Sequence, residues 1–250
     1  MPRSKIRFLL LQARNPDDPV RDEERDAFAE RLHVEPGQIR RACLLTENVD
    51  MRTLQGADML LVGGSGEYSV LDDHDGIRAA KDFLAEVADR GFPTFASCFG
   101  FQLMVEGLGG RVITDEPNAE VGTYQLSVTE HGANDPLFGR LPIHFQAQLG
   151  HKDRAEVMPE VVVNLARSAR VPYQALRVAN KPVYAAQFHP ELSYARNRGR
   201  LERYFDYYSY VFGDHEARRM LEEDFRPSPE ASELLDRYVR IFLLDEDPAR

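Results

Sequence analysis

Short apolar runs of strand length alternate with segments of helical periodicity through the first 110 residues, and this alternation constrains the fold more than any other feature. The strand-like runs cover residues 6–12, 41–45, 57–62 and 93–96, and helical patterns cover residues 22–32 and 77–88. Strands that alternate with helices of about 10–15 residues form a parallel sheet with helices on both faces. The sequence therefore predicts an α/β fold with a mostly parallel central sheet.

Beyond Gly110 the pattern changes, first to strand-like segments separated by turn residues and then to helices. The strand-like segments cover residues 121–128, 155–165, 173–178 and 183–188. From Ser193 onward the pattern is helical, with helices expected at 200–212 and 232–244 and a Pro-Ser-Pro break at 227–229. The sequence contains no low-complexity linker. We therefore expect one domain over residues 1–250, with a helical C-terminal elaboration.

Charge and cysteine content exclude several classes of protein. A net charge of −10 argues against nucleic-acid binding, because phosphate recognition needs clustered Lys and Arg. The two cysteines, Cys43 and Cys98, form no disulfide framework, which favours a cytoplasmic protein. The chain begins with basic residues, but the apolar run at 8–11 is too short for a signal peptide or a membrane span. We expect that run to be the first buried strand and expect no membrane partner.

Cys98 lies where a predicted strand turns into a predicted helix. The flanking sequence, Ala96-Ser97-Cys98-Phe99-Gly100, has a small residue two positions before and two positions after the cysteine. Small residues at these positions are typical of the tight strand-to-helix turn that exposes a nucleophile. The N-terminal end of a helix favours a thiolate, and the N–H of Phe99 is suitably placed for an oxyanion. Cys98 is therefore a candidate nucleophile, whereas Cys43, expected in mid-strand, is interpreted as a core residue.

His189 is the candidate base for this nucleophile. It follows the last predicted strand and precedes Pro190 and Glu191. A residue before proline is held extended, and residues two apart in an extended chain project to the same side. The Glu191 carboxylate can therefore lie beside the imidazole and hold its tautomer, as the acid does in a Ser-His-Asp triad.

Together, ASCFGFQLMVEGLGGRV at residues 96–112 and AAQFHPELS at residues 185–193 resemble the class I glutamine amidotransferase family. In that family the motifs occur in this order and at about this separation. The resemblance implies a flavodoxin-like fold and a glutaminase whose catalytic triad is Cys98, His189 and Glu191. It implies no metal and no organic cofactor. Residues 195–228 have no counterpart in the family pattern, and we expect them to form a helical insertion.

The same resemblance implies roles for residues around the triad. Gly64, in the glycine-rich turn after the third strand, supplies an oxyanion-hole N–H together with Phe99, and Gly66 is the alternative to Gly64. The residues expected to contact substrate are Gly66, Gln102, His151 and Lys152. Lys152 stands where the family has glycine, so its segment departs from the family pattern.

Three functions remain open from the sequence. The first is a glutamine amidotransferase that hydrolyses glutamine through a cysteinyl thioester and passes ammonia to a separate synthetase subunit. The second is a stand-alone hydrolase of γ-glutamyl peptides or amides with the same triad. The third is a regulatory module that binds glutamine without turnover. Each is compatible with a homodimer.

Two other kinds of site receive little support from the sequence. The glycine-rich turn at 63–66 is not followed by Gly-Lys-Ser/Thr, so it does not match a phosphate-binding loop. The acidic run at 72–75 lacks the ligand spacing of zinc or EF-hand sites. We interpret it as a solvated loop near the mouth of the site.

Overall fold

The structure is a computed structural model that describes residues 1–246, apart from the side chain of Tyr207. The last four residues of the predicted domain lie outside the described part. The strands are β1 Phe8–Gln12, β2 Ile39–Cys43, β3 Met59–Val62, β4 Thr94–Ser97, β5 Arg111–Thr114, β6 Glu120–Val128, β7 His144–His151, β8 Asp153–Val157, β9 Val162–Arg167, β10 Ala175–Val178 and β11 Val183–Ala186. The helices are α1 Val20–Leu32, α2 Asp75–Arg90, α3 Phe99–Gly107, α4 Glu130–Ala133, α5 Tyr194–Arg203, α6 Phe205–Phe212, α7 Asp214–Glu223, α8 Pro229–Ser232 and α9 Leu234–Phe242.

Nine of these strands form one mixed sheet in the order β2-β1-β3-β4-β11-β10-β9-β6-β7. The five strands from β2 to β11 in that order are mutually parallel. From β11 onward the neighbours are antiparallel, and β5 and β8 form a separate two-stranded sheet. The predicted α/β fold with a mostly parallel core is confirmed.

Helices cover both faces of the parallel part of the sheet. Successive β1 residues point to opposite faces, so Leu10 packs with α1 and α9 in one core, whereas Leu9 and Leu11 pack with α2 and α3 in the other. Because both faces are covered, the strand reads as a continuous apolar run rather than as an alternating one. This explains why the parallel strands were identifiable from the sequence.

Three details of the prediction are wrong. Residues 155–165 do not form one strand, because β8 ends at Val157 and pairs with β5, whereas β9 belongs to the large sheet. Pro159 and the turn around it separate the two. The strand at 111–114 was not expected at all, because four residues with exposed ends give little apolar signal. Cys43 is the last residue of β2 rather than a mid-strand residue.

The helical C-terminal region is confirmed, with finer divisions than expected. The helical pattern at 200–212 is divided at Tyr204 between α5 and α6. A small apolar cluster centred on Val121, Leu201 and Met220 packs α5 and α7 against β6. No helix in the described part of the chain is long and apolar enough to cross a membrane.

Candidate active site

Cys98 occupies the tight turn between β4 and α3. Its φ of 52° and ψ of −102° lie in a region that residues with a side chain rarely adopt. The turn is crowded, since a Cβ on Gly100 would come within 2.8 Å of the Val62 side chain. The side chain of Cys98 is buried at 6% exposure, at the carboxyl end of the parallel strands. The geometry matches the strand-to-helix turn that the small flanking residues predicted.

His189 and Glu191 lie beside Cys98 because β11 is the parallel neighbour of β4. Residue Ala186 at the end of β11 is in register with Ser97, so the two segments that follow leave the sheet at the same edge. His189 Nδ1 and Glu191 Oε1 are 2.6 Å apart, and both side chains are buried. The second carboxylate oxygen of Glu191 has no hydrogen-bond partner among the described residues. The structure thus brings the three predicted side chains together.

The protonation of His189 follows from these neighbours. Burial alone would lower its pKa, but the negative charges of Glu191 and Cys98 outweigh burial and raise the pKa to about 10. The imidazole also hydrogen-bonds with the Cys98 sulfur. At neutral pH His189 is therefore held as an imidazolium beside the cysteine, which is the state that donates a proton to a leaving group.

The glycine-rich turn after β3 packs directly on this histidine. A Cβ on Gly64 would lie 2.8 Å from Cε1 of His189, so no larger residue fits there. The Gly64 N–H donates to Oε1 of Glu24 at 3.2 Å. Phe99 is the first residue of α3, so its N–H has no carbonyl partner within the helix. The two predicted oxyanion donors thus differ: the Gly64 N–H already donates to a carboxylate, whereas the Phe99 N–H has no partner within its helix.

A buried amide network adjoins Cys98. Gln102 donates from Nε2 to the Asp153 carbonyl at 2.8 Å and to Gln187 Oε1 at 3.3 Å. Gln187 Nε2 lies 3.8 Å from the Cys98 sulfur, within reach of a weak hydrogen bond. The sequence reasoning missed Gln187, although its position two residues before His189 on the same strand end could have identified it.

A cavity of about 160 Å³ opens beside Cys98. Its wall contains Cys98 and the residues predicted to contact substrate, Gly66, Gln102, His151 and Lys152, together with Phe99. Gly64, His189 and Glu191 do not line it. The imidazole of His151 is fixed by a 3.2 Å contact between Nε2 and Glu120 Oε2. A larger cavity of about 700 Å³ is lined by the end of α1, the start of α5, α8 and α9, and Cys98 is not part of its wall.

Helix α6 closes one side of the cysteine cavity. Tyr208, Val211 and Phe212 line it, and the rings of Tyr208 and Phe212 stack with centroids 6.2 Å apart. The sequence predicted only that this segment is helical. Its place at the cavity could not be inferred, since α6 is more than 100 residues from Cys98 in sequence.

Within residues 1–246 no group of three His, Cys, Asp or Glu side chains is arranged to hold a metal ion. The acidic run at 72–75 leads into α2, where His74 caps the helix by accepting the N–H of Gly76 at 3.0 Å. Asp72 lines the cysteine cavity, in agreement with its predicted place near the mouth of the site.

Comparison with known proteins identifies relatives of this arrangement. Residues 38–205 match the family model described as glutamine amidotransferase class-I. GMP synthase (glutamine-hydrolyzing) of Streptococcus mutans is 29% identical over 158 residues, which are 62% of this chain and 29% of that protein. The enzyme of the same name from Thermosipho melanesiensis is 38% identical over 104 residues, 42% of this chain and 19% of that protein. The chain thus spans less than a third of the length of these curated relatives.

A solved structure of a glutamine amidotransferase from Thermotoga maritima superposes with a TM-score of 0.69. It covers 95% of this chain and 97% of its own, at 17% sequence identity. At that identity the likeness concerns the fold alone. It extends over nearly the whole chain, beyond the residues that the family model matches.

Proposed function

The chain belongs to the class I glutamine amidotransferase family, and from this premise we propose that it hydrolyses the side-chain amide of glutamine through a thioester on Cys98. The family resemblance of the sequence is confirmed, and the chain is an enzyme of this glutamine-hydrolysing class. The observation that carries the proposed mechanism is the 2.6 Å pair of His189 and Glu191 beside a cysteine in a nucleophile turn.

The proposed reaction assigns one step to each member of the triad. The Cys98 thiolate attacks the amide carbon, and the His189 imidazolium gives its proton to the departing nitrogen, which leaves as ammonia. The resulting thioester is then attacked by water, whose proton His189 accepts, and cleavage releases glutamate and restores the thiolate. Glu191 orients the imidazole and stabilises its charged form.

The oxyanion that forms in each step needs N–H donors. We assign Phe99 as one donor, because its N–H is at the free N-terminal end of α3. Gly64 is the second, provided that its N–H is released from Glu24. The cavity wall formed by Gly66, Gln102, His151 and Lys152 is proposed to hold the amino-acid end of the substrate.

A γ-glutamyl amide or peptide is the second candidate substrate, and one observation favours it. Tyr208, Val211 and Phe212 of α6 add apolar surface to the cavity. These three residues lie beyond the residues matched by the family model. A leaving group larger than ammonia would have such a surface to bind. The triad chemistry would be unchanged.

The ammonia released from glutamine needs an acceptor, which a partner subunit could provide. The curated relatives are named as GMP synthases and are more than three times as long as the matched segment. We propose that a separate acceptor subunit receives ammonia from this chain. We further propose that residues 1–250 form one domain in which 195–228 is a helical insertion, and that it works in a reducing cytoplasm, where its two free cysteines persist.

The test combines labelling with turnover. A chloroketone analogue of glutamine should alkylate Cys98, glutamine should protect it, and buried Cys43, whose thiol donates to the Arg14 carbonyl at 3.2 Å, should be spared. Glutamate release should vanish in Cys98→Ala and persist in the matched control Cys43→Ala. Glu191→Gln should keep residual activity, about 10²–10⁴-fold below wild type. Glutamate release by Cys98→Ala at the wild-type rate would disprove the mechanism.

A further inference from the structure

A buried ion pair lies beneath the glycine-rich turn. The side chains of Arg14 and Glu24 are 2% and 0% exposed, and two hydrogen bonds of 3.0 and 3.2 Å join them. Burying two charges costs about as much as their attraction returns, so such a pair is weak evidence for a purely stabilising role. Neither residue belongs to the proposed triad or to the substrate cavity.

Glu24 contacts the turn itself. Its Oε1 accepts the Gly64 N–H at 3.2 Å, and its Oε2 accepts from Gln12 Nε2 at 2.8 Å. A Cβ on Gly63 would lie 2.7 Å from the Glu24 carboxyl carbon, so the carboxylate fits closely against the backbone. Burial alone would raise the pKa of Glu24, but the Arg14 guanidinium holds it below its usual value. The acceptor is therefore a charged carboxylate at neutral pH.

A backbone N–H has a single proton to donate. Hydrogen bonds to a carboxylate are roughly twice as strong as those between neutral groups, so the Gly64 proton is not readily surrendered. Building on the function proposed above, we propose that Glu24 is a positioning residue that withholds the Gly64 N–H from the oxyanion in the resting enzyme. Turnover then requires the Gly63–Gly64 peptide to turn away from Glu24, which two adjacent glycines permit and which breaks the 3.2 Å hydrogen bond from the Gly100 N–H to the Gly63 carbonyl.

The pair is also tied to the C-terminal helices. Arg14 Nη1 donates to the Tyr204 hydroxyl at 3.3 Å, at the junction between α5 and α6. The same tyrosine packs against the turn, since a Cβ on Gly66 would lie 2.5 Å from its ring and hydroxyl. Tyr204 therefore restrains both Arg14 and the turn, so a movement of this junction would reach the Gly64 N–H.

The test is Glu24→Gln, which keeps the shape but replaces the charged acceptor. Each oxyanion donor typically contributes about 10²–10³-fold to kcat. We therefore expect kcat for glutamine to rise at least about tenfold, with KM within about twofold, because the released N–H acts in the transition state. Arg14→Gln/Glu24→Gln removes both buried charges and should show the same rise if the single variant folds poorly. Asp26→Asn, whose side chain is 45% exposed on the same helix, is the control and should behave as wild type.

Alkylation of Cys98 by iodoacetamide separates this inference from the proposed function, because alkylation forms no oxyanion. It should proceed equally in wild type and both variants. If wild type hydrolyses glutamine and the folded variants show unchanged or lower kcat, the withholding role of Glu24 is wrong. If no protein hydrolyses glutamine and the chloroketone spares Cys98, the proposed function fails, and this inference falls with it.

Discussion

Cys98 is held in a backbone conformation that a cysteine seldom adopts. A residue other than glycine that is held at positive φ costs on the order of 1–3 kcal/mol, which its flanking elements must supply. Here β4 and α3 fix both neighbours of Cys98, and the strained turn directs the sulfur toward His189 and the cavity. Glycine would relieve the strain but would remove the nucleophile.

The charge state of His189 gives a prediction for stability against pH. Its pKa of about 10 in the folded chain exceeds the unfolded value of about 6.5, so folding favours the protonated form. The free energy of unfolding of wild type relative to His189→Gln should therefore be greatest below about pH 6.5 and should decline as pH rises toward 10. Urea unfolding at pH 6, 7, 8 and 9 measures this difference. A wild-type advantage over His189→Gln that stays level or grows between pH 6 and pH 9 would contradict the prediction.

At the scale of residues, the sequence predicted the parts of the site that are formed by short local motifs. Cys98 and its small neighbours form one motif, and His189 and Glu191 form another, so their local geometry was predictable from five residues at a time. Glu24 was not found, because its contact with Gly64 joins residues 40 apart through tertiary packing. In the sequence Glu24 is one of several charged residues in the helical pattern at 22–32.

At the scale of elements, the site depends on how closely α3 approaches β3. Gly100 in α3 lies against Val62, the last residue of β3 before the glycine-rich turn. The alternation of strands and helices predicted both elements but not the order of the strands. The neighbours β4 and β11 are about 90 residues apart in sequence, and only the family resemblance indicated that their ends meet.

Two glycines in helices make a matched pair of substitutions. Gly100→Ala would place its Cβ 2.8 Å from the Val62 side chain and 2.9 Å from its carbonyl oxygen. Overpacking of this kind should lower the free energy of unfolding by about 1–3 kcal/mol and reduce kcat, because the shift reaches the turn at Gly64. Gly199→Ala, in α5 with nothing within 4 Å of the new Cβ, should instead raise stability by about 0.5–1 kcal/mol. Urea unfolding and glutaminase assays measure both. Equal stability of the two variants would contradict the packing argument.

At the scale of the whole molecule, the C-terminal helices complete a site that the central sheet begins. They are tied to the sheet by polar contacts as well as by packing. Asn197 donates to the Leu149 carbonyl at 3.1 Å, and Thr123 donates to the Arg226 carbonyl at 3.0 Å. The sequence predicted that this region is helical but not where it lies, because amphipathic periodicity identifies a buried face without identifying what covers it.

The position of α6 predicts which substitutions alter substrate preference. Phe212 lines the cysteine cavity, whereas Tyr210 on the same helix is 90% exposed. Phe212→Ala removes part of the apolar wall that would bind the aniline leaving group. The ratio of kcat/KM for a γ-glutamyl anilide to kcat/KM for glutamine should therefore fall by about tenfold. The control Tyr210→Ala should leave this ratio unchanged. If Phe212→Ala leaves the ratio at the wild-type value, or Tyr210→Ala shifts it equally, α6 does not contact the leaving group. A ratio that changes only with Phe212 would mean that the chain selects its substrate with a helix outside the residues matched by the family model.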